Sequence, residues 1–183
     1  EEKYKYPKAG EENSEVEIYI YDIQSSKSVK ADVNKEADQY IPRIKWTADA
    51  TKLCVMRMNR LQNLLELYSC DAVSGQSKLF FTETNAAYIE VTKDLNFLSN
   101  KKEFIWTSTR DGFNHIYLYD LSGRVVRQIT EGPWDVMKFY GYDEATGTCY
   151  YQAAVTSPME KQVYATNSKG KTKEMSSAKG TNT

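Results

Sequence analysis

One histidine, three cysteines and four prolines are all that 183 residues supply of these types. With His115 as the single imidazole, any Ser-His-Asp device would have to run through it. No G-x-S-x-G elbow is present to supply a nucleophile. Cys54, Cys70 and Cys149 are odd in number and lack C-x-x-C spacing. They read as small buried apolar residues rather than a disulfide framework or a zinc site. No run of about 18 apolar residues occurs, so no helical membrane span is expected. A net charge of −1 and a pI near 6.0 leave no basic footprint for nucleic acid. Glycine-rich phosphate loops are missing as well, because Gly75, Gly112, Gly123, Gly141 and Gly147 each stand at a separate turn. Nothing implies a cofactor or a metal. The sequence opens on Glu1-Glu2-Lys3 without a Met or a signal peptide, and its reading as a segment of a longer protein rests on that.

Tyrosine is abundant instead, with 14 residues, which suits strands more than helices. Strand-like runs separated by turn residues follow one another along the chain. In the stretch from Ser108 to Gly123, Asp111-Gly112 predicts a type I′ hairpin turn, since that turn needs positive φ at both central residues. Ile116-Tyr117-Leu118-Tyr119 is apolar on both faces, so this strand belongs in a sheet covered on both sides. Leu121-Ser122-Gly123 turns the chain again. Met58 to Leu67 carries leucines at helical spacing, but the repeat puts a hairpin turn and a strand there.

Aligning the third strand of each unit pairs Tyr21, Tyr68, Tyr119 and Thr166, at intervals of 47, 51 and 47 residues. Four short antiparallel strands in a period of about 40–50 residues is the signature of propeller blades. The expected fold is all-β, a partial β-propeller of about three to four blades with four antiparallel strands each. The chain is expected to be a single such segment. A blade end spans 4–33, blades span 38–82, 86–130 and 134–175, two of them complete and one partial, and 176–183 is a linker into a missing next blade. A β-sandwich with accidental regularity is the alternative.

His115 stands beside the Asp111-Gly112 turn and ahead of an apolar strand, where a structural role is expected, with an imidazole nitrogen bonded to backbone or to Asp111. Arg60 and Arg110 stand at connections between strands, where arginines are solvated or stitch blades together. Trp46, Trp106 and Trp134 lie in or at the start of strands and read as core between blades. The lysines from Lys169 to Lys179 read as a solvated edge strand and linker.

Several of these stretches resemble one family. Tyr6-Pro7-Lys8-Ala9-Gly10 resembles the Y-P-K-A-G strand of dipeptidyl peptidase IV and its relatives in the prolyl oligopeptidase superfamily. Arg60-Leu61-Gln62-Asn63 resembles their R-x-Q-N turn. Arg110 to Tyr117, with Asp111, Gly112 and His115, resembles their [RE]-[DE]-G-aromatic-x-H-[IL]-Y hairpin, and Gly132 to Val136, with Trp134, their G-x-W-[DE]-V strand. The resemblance implies a serine exopeptidase that removes X-Pro or X-Ala dipeptides from N-termini. In that family an eight-bladed propeller caps an α/β-hydrolase domain. A glutamate pair upstream of Y-P-K-A-G holds the substrate amine, and the catalytic triad lies far downstream. Asp49, Glu66 and His115 match none of those positions, so no catalytic, substrate-binding or metal residue is assigned in this chain.

The implied role is a noncatalytic propeller segment that walls and gates the active-site cavity. Its partners in the parent protein would be the peptide substrate, the α/β-hydrolase domain and a second copy in a homodimer. The absence of any N-x-[ST] sequon and of paired cysteines suits a bacterial periplasmic or envelope-associated parent. A stand-alone periplasmic binding propeller is the competing reading, and a small hydrolase built on His115 is a third.

Overall fold

The structure, a computed structural model, describes residues 10–33, 38–176 and 178–183. Among these residues there is no helix, and the strands form four antiparallel sheets. The chain divides into two compact units, Glu1–Val91 and Thr92–Thr183. Among the described residues no helix is long and apolar enough to cross a membrane.

In the first unit, β1 (Tyr19–Asp22) and β2 (Lys27–Lys30) form a two-stranded sheet. The next sheet contains β3 (Gln39–Tyr40), β4 (Ile44–Trp46), β5 (Lys52–Asn59), β6 (Leu64–Asp71) and β7 (Ser77–Thr84). Its order is β3-β5-β6-β7, and β4 also pairs with β5. Pro42 lies between β3 and β4 and lacks the N–H that a continuous inner strand would use. All six interior residues of β5 are buried. One face, with Leu53 and Val55, packs with Tyr68 and Cys70 against Ile20, Ala31 and Val33. The opposite face holds Cys54, Met56 and Met58, also buried. Burial on both faces explains a strand that reads as nearly continuous apolar residues.

The second unit holds two four-stranded sheets. One contains β8 (Asn96–Phe97), β9 (Glu103–Ser108), β10 (His115–Asp120) and β11 (Val125–Gln128). The other contains β12 (Val136–Asp143), β13 (Thr148–Ala153), β14 (Gln162–Thr166) and β15 (Thr172–Glu174). They share a core in which Ile105, Ile116 and Leu118 meet Val136, Cys149 and Tyr151. Each fully buried side chain of this size contributes roughly 1.5–3 kcal/mol. Tyr151 is also stacked on Tyr164, with ring centroids 5.8 Å apart, and its hydroxyl shares a 3.0 Å hydrogen bond with Thr166.

The internal repeat is real but its register differs from the tyrosine alignment. In each sheet the hairpin between the last two strands opens with Asp22, Asp71, Asp120 or Asn167. The side-chain oxygen of each accepts the backbone N–H two residues on, at 2.8–3.1 Å. These positions recur at intervals of 49, 49 and 47 residues. In that frame Tyr68 corresponds to Tyr19, Tyr117 and Tyr164, not to Tyr21, Tyr119 and Thr166. The tyrosine pairs at i and i+2 in β1 and β10 offer two partners on one strand face, which the hairpin geometry resolves.

The Asp111-Gly112 turn also differs from expectation. The Gly112 N–H bonds to Thr109 O at 3.0 Å, which puts Arg110 and Asp111 at the centre of the turn. Gly112 has φ +101°, while Asp111 is not a positive-φ residue. Ser108 pairs with His115, so a six-residue loop replaces the two-residue type I′ connection. The Asp111 carboxylate is drawn inward, accepting from Tyr117 Oη at 3.0 Å and Gln128 Nε2 at 2.8 Å.

Candidate functional site

In the second unit His115 is fully buried, and both of its ring nitrogens are hydrogen-bonded. Its Nδ1 lies 3.1 Å from Thr130 Oγ1 and its Nε2 lies 2.9 Å from Gly132 O. A carbonyl only accepts, so Nε2 carries the proton and donates to Gly132. The Thr130 hydroxyl then donates to Nδ1 and accepts the Ile116 N–H at 2.9 Å. Trp134 meets the imidazole edge-on, with centroids 5.1 Å apart and planes at 86°, and stacks on Tyr151. A Cβ at Gly132 would lie 2.3 Å from Trp134 Nε1, so the glycine makes room for the indole. Beside it, the Asn114 N–H bonds to Asp135 Oδ1 at 2.6 Å and Asn114 Nδ2 to Val136 O at 2.7 Å.

The two motifs at 110–117 and 132–136 therefore close on each other. His115 is bonded to backbone and to Thr130, while Asp111 serves Tyr117 and Gln128 instead. Burial pushes the Asp111 carboxyl up, but hydrogen bonds from Gln128, Tyr117 and Phe113 outweigh it and hold the group below the ordinary value. Arg110 is exposed and lies over the rings of Tyr117 and Tyr119, 5.1 and 5.3 Å from their centroids. Both nitrogens of His115 are committed and the ring has no access to solvent. In this arrangement it organises the chain and has no free nitrogen with which to move a substrate proton.

In the first unit, the R-x-Q-N turn joins β5 to β6. Arg60 Nη1 bonds to both carboxylate oxygens of Asp38 at 2.7 Å, and Nη2 reaches Glu11 O at 3.1 Å. Gln62 has φ +56°, and its carbonyl accepts the Ile89 N–H at 2.8 Å. Asn63 receives the Asn59 amide at 2.7 Å. Arg60 thus ties the segment at Glu11 to the sheet. A groove of about 330 Å³ lies beside it, lined by Asn13, Val16, Gln39, Tyr40, Pro42 and Gln62 among others. The Gln39 Oε1 atom is buried and has no hydrogen-bond partner among the described residues. Gly10 is exposed at φ +89°; Tyr6, Pro7, Lys8 and Ala9 lie outside the described residues.

The tryptophans separate. Trp106 is fully buried and Trp134 is partly buried against the core. Trp46, expected in the core, is about half exposed at 52 %, because β4 pairs with β5 alone. Cys54, Cys70 and Cys149 are free and buried. Burial pushes the thiols of Cys54 and Cys149 up to about 12 and that of Cys70 up to about 11, so none is a ready nucleophile. Among the described residues no group of three or more His, Cys, Asp or Glu side chains could hold a metal ion.

Two groups were not legible as sites beforehand. Arg57 and Glu66 form an ion pair whose side chains are 6 % and 13 % exposed, with Arg57 Nε 2.8 Å from Glu66 Oε2 and the guanidinium over Tyr68. Gln162 anchors Ser176, Ala178, Gly180 and Asn182. The signal for Gln162 was its place five residues before Asn167, matching His115 before Asp120.

Comparison with known proteins agrees with this architecture. The family model for the dipeptidyl peptidase IV (DPP IV) N-terminal region matches residues 1–183. The crystal structure of Porphyromonas gingivalis dipeptidyl peptidase 4 superposes with a TM-score of 0.91 at 42 % identity, over 97 % of this chain and 25 % of that one. A putative dipeptidyl aminopeptidase IV from Bacteroides ovatus gives 0.83 at 26 % identity, over 92 % of this chain and 27 % of that one. Inactive dipeptidyl peptidase 10 of Mus musculus is 26 % identical over 92 % of this chain and 23 % of its own length. The chain thus spans about a quarter of the length of these relatives. The sheets are blades of a partial β-propeller, and the chain belongs to the dipeptidyl peptidase IV N-terminal region family.

Proposed function

We propose that this chain is a noncatalytic propeller segment of a dipeptidyl peptidase IV-like serine exopeptidase, one that releases X-Pro and X-Ala dipeptides from peptide N-termini. The observation that carries the reading is the family match along the whole chain, joined to the commitment of its only imidazole to Thr130 and Gly132. The segment's work is to wall and gate the cavity in which an α/β-hydrolase domain cleaves the peptide, in a homodimer. A bacterial periplasmic or envelope-associated parent is part of the same reading, and cell fractionation tests it. The functional test is release of Gly-Pro from a chromogenic substrate by this chain and by the full-length protein. Activity in the full-length protein alone supports the reading; activity of this chain by itself refutes it.

A second reading is a propeller that binds partners without chemistry. It draws support from the mouse and rat relatives, whose names call them inactive dipeptidyl peptidases. A full-length protein that folds but releases no dipeptide would favour it.

A further inference from the structure

His115 opens β10 and Gln162 opens β14, the third strands of their sheets. They stand five residues before the hairpin residues Asp120 and Asn167. Their contacts correspond closely, although Gln162 Oε1 also accepts from Asn182 Nδ2 at 2.7 Å. Beside His115, Thr130 Oγ1 accepts the Ile116 N–H at 2.9 Å and bonds Nδ1 at 3.1 Å. Beside Gln162, Ser176 Oγ accepts the Val163 N–H at 3.0 Å and donates to Oε1 at 2.6 Å. The donor ends agree too. His115 Nε2 bonds to Gly132 O at 2.9 Å, two residues after Thr130. Gln162 Nε2 bonds to Ala178 O at 3.2 Å, two residues after Ser176, and also to Gly180 O at 3.2 Å.

The backbone repeats the pattern. The Ile129 N–H bonds to Ile116 O and the Met175 N–H to Val163 O, both at 2.8 Å. Six residues after the hydroxyl, the Val136 N–H bonds to Asn114 O and the Asn182 N–H to Lys161 O, again both at 2.8 Å. Val136 is the first residue of β12. Asn182 therefore occupies the place at which an inner strand begins.

We infer that these contacts are one recurrent latch. A side chain with one acceptor and one donor, at the first residue of the third strand, grips a hydroxyl and a carbonyl of the departing chain. That grip sets where the next inner strand starts. An imidazole and a carboxamide both present an acceptor beside a donor, which is why histidine and glutamine fill the same place. The hydroxyl is common to both because it must accept an N–H and donate a proton at once. At the corresponding position of the other two sheets stand Glu17 and Glu66, which pair with Lys30 and Arg57 and have no donor to offer a carbonyl. The latch belongs to the second unit.

The test is hydrogen exchange of backbone amides in the full-length protein that carries this sequence. His115→Gln is expected to keep the Ile129 and Val136 amides as protected as in the parent. His115→Leu and Thr130→Val are expected to speed their exchange on the order of tenfold or more, since each removes hydrogen bonds from a buried group. Thr130→Ser, copying Ser176, is expected to retain protection. Gln162→Leu is expected to release Met175 and Asn182 while leaving Ile129 and Val136 unchanged. Exchange in His115→Gln as fast as in His115→Leu would overturn the inference. So would undiminished protection of Met175 and Asn182 in Gln162→Leu, a variant that keeps the test open if His115→Leu does not fold.

Discussion

Replacing Gly132 by alanine tests the packing of the His115 region quantitatively. Gly132 has φ +134°, a conformation open to glycine, and holding alanine there costs roughly 1–3 kcal/mol. The new Cβ would also lie 2.3 Å from Trp134 Nε1 and 2.9 Å from its Cδ1. No real Cβ tolerates that, so the indole must leave. It then loses its edge contact with His115 and its stack on Tyr151, each worth about 0.5–1.5 kcal/mol beyond area burial. The total is about 2–6 kcal/mol. Gly112 supplies the control, since it has φ +101° with nothing within 4 Å of a Cβ. Gly112→Ala should cost the backbone term alone, roughly 1–3 kcal/mol. Denaturant unfolding of the two variants, followed by a probe local to these sheets, measures the difference. Equal destabilisation would refute the claim that Gly132 is needed to seat Trp134.

Three further outcomes are expected. Arg57→Ala should destabilise by about 3–5 kcal/mol by stranding Glu66, whereas the paired change Arg57→Met with Glu66→Leu should be near neutral, as is common for buried ion pairs; equal losses in equilibrium unfolding would contradict this. Hydrogen bonds from Ser122 to Asp120, from Lys52 to Asp71 and from Ser25 to Asp22 hold these carboxyls below the ordinary range. Their contribution is complete above the unfolded value, near about pH 3.9, and is lost as pH falls through the lower folded values. Asp120→Asn keeps the acceptor that Asn167 uses naturally, so its melting temperature should fall less steeply below pH 4 than the parent's. Finally, Cys54 and Cys149, with thiols pushed up to about 12 by burial, should react with a thiol reagent only on unfolding; rapid reaction of the native protein would show that they are reached.

The sheets were legible because burial on both faces leaves an unmistakable trace, as in Leu53-Cys54-Val55-Met56 and Phe104-Ile105-Trp106, bounded by turn residues. The period was legible for the same reason. Its register was not, because Tyr19 and Tyr21, like Tyr117 and Tyr119, occupy one face and match Tyr68 equally well. The hairpin residues Asp22, Asp71, Asp120 and Asn167 carried the missing information. Reading Asp111-Gly112 as a type I′ turn failed because the Asp111 carboxylate has tertiary partners in Tyr117 and Gln128, which no local rule includes. The equivalence of His115 and Gln162 was hidden by residue type, since a ring and an amide look unrelated until their donors and acceptors are placed.

The most direct test that this chain supplies structure rather than chemistry is the kinetics of His115→Gln in the full-length protein. Glutamine keeps an acceptor and a donor but cannot serve as a general acid or base. The expected result is a kcat/KM on a Gly-Pro chromogenic substrate within about twofold of the parent, with the fold kept and stability lowered only by the lost ring contact with Trp134, about 0.5–1.5 kcal/mol. A fall of about 10²-fold or more, the scale of a lost acid–base catalyst, in a variant that still folds would contradict it.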